Sequence, residues 1–167
     1  MGFNSSCPAF HGVSREEILA LMEFEDTGIR DEARKADFSI ADRPTGWTIP
    51  WSSQCEYLPD SEPVHLPFRG RHSIVGCCVL ETTMMSVGFG YDYDDYGRMC
   101  SSWNITYDGH KRCDNLECTG TLPPESRAII DGSPYQGQHE HKRGYVFWCT
   151  GQRDPAPDWF QLRSTGL

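Results

Sequence analysis

Lysine is scarce in this chain. Only Lys35, Lys111 and Lys142 occur among 167 residues, and the net charge is −9. A surface of that sign repels phosphate backbones and anionic headgroups, which argues against nucleic acid and membrane as partners. The basic clusters His110-Lys111-Arg112 and His141-Lys142-Arg143 read as solvated loop charge. No stretch approaches the roughly 18 apolar residues of a membrane-crossing helix. A Gly-x-Ser-x-Gly elbow and a glycine-rich phosphate loop are both missing, so lipase-type and nucleotide chemistry find no support. No cofactor is expected. The opening Met1-Gly2-Phe3-Asn4-Ser5-Ser6 has no basic start and no apolar stretch, unlike a signal peptide. The expectation is a mature chain whose leader has been removed. The rival is a native start, with Gly2 and Ser6 fitting a loose myristoylation pattern and Cys7 open to palmitoylation.

What is present suits a globular protein: 38% apolar and 12% aromatic residues. The length fits a single domain over residues 1–167, with residues 1–12 as a flexible lead-in. Eight cysteines stand at Cys7, Cys55, Cys77, Cys78, Cys100, Cys113, Cys118 and Cys149. An even count spread along the chain reads as about four disulfides in an oxidising compartment, with the pairing left open. Sequons at Asn4 and Asn104 fit a glycoprotein on a secretory route. Cys77 and Cys78 are neighbours, so in a strand their thiols point to opposite faces.

The clearest local signal is Ser14, placed to cap a helix, with Glu17 as its capping-box partner. Val13 and Ile18 stand at the positions of a hydrophobic staple, Gly28 offers a stop, and a second short helix is expected over residues 29–35. Five prolines between Pro44 and Pro67 then break any helix. Strands are expected over residues 71–83, 84–91, 99–107, 128–130, 145–149 and 159–162. The fold class that follows is α+β: an N-terminal helix packed on a mainly antiparallel sheet, stapled by about four disulfides.

Three constellations carry candidate chemistry. Residues 90–97 hold Tyr91, Asp92, Tyr93, Asp94, Asp95 and Tyr96 between glycines. The spacing fails the EF-hand pattern, so an exposed recognition loop presenting Tyr91, Tyr93, Asp94 and Tyr96 is expected, with no metal. His139, Glu140 and His141, with Arg143, could act as general acid and base in a hydrolase or ribonuclease. Cys113, Cys118 and Cys149 could join those histidines around zinc if reduced, though the spacing is not that of a zinc knuckle. Among the tryptophans, Trp148 lies in an apolar run, while Trp47 and Trp51 flank Pro50 and are candidates for ligand binding.

A small acidic domain with eight cysteines, an N-terminal helix and short strands resembles the cysteine-rich secreted effectors of plant-pathogenic fungi. The resemblance implies a virulence-type protein that binds a host or extracellular protein rather than an enzyme, and it assigns no site residues. Two alternatives stand beside it: a secreted hydrolase or ribonuclease using His139, Glu140 and His141, and an intracellular zinc-binding or lipid-anchored protein.

Overall fold

A computed structural model describes residues 4–32, 35–53, 67–80, 85–108, 116–122 and 158–165. Those residues form β1 (Asn4–His11), α1 (Arg15–Met22), β2 (Phe24–Arg30), β3 (Phe38–Asp42), β4 (Trp47–Ser52), β5 (His72–Leu80), β6 (Met85–Tyr93), β7 (Met99–Asp108), β8 (Leu116–Gly120) and β9 (Phe160–Ser164). The nine strands make one sheet in the order β2-β9-β3-β4-β1-β5-β6-β7-β8. Every neighbouring pair is antiparallel.

The α+β, disulfide-stapled expectation is therefore corrected to a mostly antiparallel β-sheet with one short helix. No disulfide joins Cys7, Cys77, Cys78, Cys100 or Cys118. The physical reason lies in their placement. Cys78 is buried on the helix-bearing face, Cys77 points to the other face, and Cys100 and Cys118 are exposed on β7 and β8. The register sets Cys78 opposite Ser6 and Val87, and Cys118 opposite Ile105, so neither faces another cysteine across the sheet, while Cys7 and Cys77 face one another as thiols. Among the described residues the expected second helix over residues 29–35 does not form, since β2 continues to Arg30. Asp31, only 3% exposed, instead gathers that connection by accepting hydrogen bonds from the Lys35 and Ala36 amides and the Ser39 hydroxyl. Residues 4–11, read as a flexible lead-in, are the central strand.

Helix α1 forms where its signals predict. Ser14 Oγ accepts from the Glu17 amide at 3.2 Å, and the Glu17 carboxylate accepts from the Ser14 amide at 3.0 Å. The Ser14 hydroxyl, donating to the same carboxylate at 2.7 Å, and then the Ser14 amide hold the Glu17 carboxyl below its ordinary range. The helix ends at Glu23, which takes the left-handed conformation at φ 57°, five residues before the expected stop at Gly28. Ile18 is fully buried and packs with Phe10, Val13, Phe68, Ile74, Phe89 and Tyr93. Leu19 and Met22 reach a second cluster of Phe24, Ile40 and Leu162. The strand register puts both clusters on one face, and Met22 touches both, so α1 lies across the sheet as its cover. Arg15 fastens the helix start to β2 and β3, with guanidinium nitrogens 2.5 Å from Asp26 and 2.6 Å from Asp42.

Two glycines let rings lie against β5 and β6. A Cβ at Gly76 would meet the Phe89 ring at 2.5 Å, and one at Gly90 would meet the Trp103 indole at 2.3 Å. Phe89 covers its glycine on the helix-bearing face and Trp103 covers the other on the opposite face, as the alternation of the register requires. Among the described residues, no helix is long and apolar enough to cross a membrane.

Candidate functional site

The β6–β7 hairpin runs from packed core to exposed tip within a few residues. Its inner part rests on aromatic rings. Tyr93 is 6% exposed and sits across from His72 on β5, with the two rings stacked at 4.4 Å and 11°. Phe68 meets His72 edge-on at 5.6 Å, and Phe10 meets Phe68 at 6.1 Å. His72 Nδ1 lies 2.8 Å from the Gly70 carbonyl oxygen. A carbonyl only accepts, so Nδ1 carries the proton of that bond. Burial pushes the Tyr93 hydroxyl pKa up, helped by Tyr91, and burial does the same to Tyr91.

The tip is residues 94–98, and Asp94 organises it. Its Oδ1 accepts from the amides of Tyr96 at 2.8 Å and Arg98 at 2.9 Å. Its own amide donates to the Arg98 carbonyl at 2.9 Å, and the Gly97 amide donates to the Asp94 carbonyl at 3.0 Å. Gly97 takes φ 73°, a left-handed turn that a glycine adopts without a side-chain penalty. The Arg98 amide above all, then the Tyr96 amide and the nearby Arg98 and Arg71 charges, holds the Asp94 carboxyl below its ordinary range. A loop so tied presents its side chains already ordered, which lowers the entropy lost on binding. Tyr96 is 82% exposed, with the Arg98 guanidinium 5.3 Å from its ring centre. Met99, also exposed, leads from the tip to a groove of about 210 Å³ that it lines with Tyr91, Ser102, Asn104 and Thr119.

The expectation that residues 90–97 leave the sheet together is corrected. β6 runs through Tyr93, and only residues 94–98 form the turn. The alternation that buries Phe89 carries Tyr91 and Tyr93 to the same face, where Tyr91 is half-buried and Tyr93 is core. The three carboxylates diverge as well. Asp92 accepts from the Ser73 hydroxyl, Asp94 turns onto the tip amides, and Asp95 is exposed. Among the described residues, no three His, Cys, Asp or Glu side chains are grouped to hold a metal.

Trp47 and Trp51 are both half-buried on one face of β4, flanking the buried Ile49, and Trp47 leans on His11 at 5.2 Å. That face is the one opposite α1. Asn104 is half-buried on β7, where it accepts from the Thr106 hydroxyl, and Asn4 begins β1. His139, Glu140, His141, Arg143 and Trp148, together with Cys55, Cys113 and Cys149, lie outside the described residues, as do the strands expected over 128–130 and 145–149. His72 was not among the expected site residues. Its signal was its place in strand alternation with Ile74, Gly76 and Cys78, which marks a side chain facing the core.

Compared with protein-family models, with curated proteins and with solved structures, the chain matches none.

Proposed function

We propose that this protein is a recognition domain that binds another protein through the β6–β7 tip. The observation that carries the reading is Tyr96, 82% exposed on a turn held by four hydrogen bonds to Asp94 and stacked beside Arg98. Tyrosine and arginine are the side chains that most often anchor protein interfaces, because each offers large contact area with a polar end. Met99 and the adjoining groove extend that area along the β7 side. The net charge of −9 makes a partner with a basic face the better match.

The host or extracellular setting, with the effector-like role, drew its support from cysteines paired as disulfides. With five cysteines outside any disulfide, the binding reading stands on the tip and leaves the compartment open.

The test is site-specific photocrosslinking. A benzophenone amino acid at position 96 should capture a discrete protein from an extract of the source organism. Excess wild-type protein should compete that product away, and the Tyr96→Ser protein should not. Equal competition by both proteins, or no product sensitive to wild-type competitor, would remove the tip from the function.

A further inference from the structure

Cys7 on β1 and Cys77 on β5 are direct partners across the sheet. Residues opposite one another in an antiparallel pair have Cβ atoms about 4.5–5.5 Å apart and point to the same face. The two side chains therefore leave the sheet next to each other on one face, and both residues are half-buried. Cys78 follows Cys77 in the chain but is buried on the helix-bearing face, so it faces away from this pair. The far side of Cys77 is occupied by Gly88 on β6. A Cβ at Gly88 would find nothing nearer than the Gly76 carbonyl oxygen and a Trp103 ring carbon, both at 3.8 Å. Gly88 adds no side chain of its own beside Cys77, and the Trp103 ring borders that flank.

Two adjacent thiols on a rigid ladder form a chelate in advance of binding. Sulfur ligands select soft, thiophilic centres over hard oxygen-seeking ions. We propose that Cys7 and Cys77 form a two-sulfur site that binds a soft thiophilic centre of the trivalent-arsenic type. With an organoarsenic(III) oxide, two arsenic–sulfur bonds form and the arsenic–oxygen bonds break. The two thiol protons leave with that oxygen as one water. Arsenic stays trivalent and sulfur is not oxidised, so no further reagent is needed.

The probe is phenylarsine oxide, read by the mass of the intact protein. One equivalent should stay bound in excess 2-mercaptoethanol, which offers single thiols, and be released by dithiothreitol, which offers two. Tryptic mapping of the wild-type adduct should join the peptide holding Cys7 to the peptide holding Cys77 and Cys78. Cys7→Ser and Cys77→Ser should each lose that equivalent, while Cys78→Ser should keep it. If either serine variant fails to give a wild-type-like melting curve, the alanine variants and the wild-type peptide map decide. No retained equivalent, a map that excludes Cys7, or loss in Cys78→Ser with retention in Cys77→Ser would each overturn the proposal.

Discussion

Tyr93 and Tyr96 are three residues apart and live in different surroundings. Tyr93 is 6% exposed, stacked on His72 and packed with Phe89, Ile74 and Ile18. Tyr96 is 82% exposed and touches the chain mainly through Arg98. The difference arises at Asp94. Up to Tyr93 the ladder with β5 dictates where each side chain points, and from Asp94 to Arg98 a single carboxylate dictates it. The hairpin therefore gives its inner tyrosine to the core and its outer one to the surface, with the boundary at Asp94.

The largest effect is expected on the inner side. Tyr93→Ala removes a ring from the main cluster and should cost about 3–5 kcal/mol, the range for deleting a buried aromatic side chain. For a chain of this size that is a fall in melting temperature of roughly 6–20 °C, measurable by circular dichroism. A fall of only a degree or two would place Tyr93 outside the core.

A smaller effect is expected at the helix that covers the inner cluster. Ser14→Ala removes one half of the capping box and should cost about 1 kcal/mol. Since the cap hydrogen bonds join only Ser14 and Glu17, the same variant should leave the competition in the crosslinking assay intact. Loss of competition without loss of stability would mean that the helix, and not the hairpin, meets the partner.

Acid should act on the boundary itself. The Asp94 carboxyl titrates lower in the folded protein than in the unfolded chain, so its contribution is complete above the unfolded value and is lost as pH falls through the folded one. Amide exchange at Tyr96 and Arg98 should show less protection at about pH 3 than at about pH 6, after correction for the intrinsic rate. In Asp94→Asn that acid-dependent loss should shrink. Glu17 carries a shift of the same sign, so part of the acid sensitivity of overall stability belongs to the helix cap. Exchange read at the tip amides separates the two.

The hairpin also shows what the sequence makes legible. The capping box at Ser14 and Glu17 is local chemistry, complete within four residues, and it forms as read. β5, β6 and β7 stand within a few residues of their expected bounds, because runs rich in β-branched and aromatic residues signal strands whatever lies beside them. β1 was not legible. Its Asn-Ser-Ser-Cys-Pro-Ala-Phe-His is polar and contains Pro8, which ordinarily argues against a central strand. The β1–β4 pairing resolves the conflict: it runs from Ser6↔Ser52 to Phe10↔Thr48, which brings Pro8 level with Pro50, so the two residues without amide donors meet each other. Such a match is invisible until the distant partner strand is known. β9 forms where a strand was expected, over residues 159–162, but its place between β2 and β3 depends on those distant strands. Within residues 90–97, counting strand parity from Phe89 places Tyr91 and Tyr93 on the buried face, which composition alone does not show. An even number of cysteines does not show pairing: the five on described strands are in no disulfide.

The central claim is that Tyr96 belongs to the surface and not to the fold. The melting temperature of Tyr96→Ser tests it most directly, taken beside Tyr93→Ser under the same conditions. The account predicts that Tyr96→Ser melts within about 1 °C of wild type, as exposed substitutions usually do, while Tyr93→Ser falls by many degrees. Comparable falls in the two variants would contradict it.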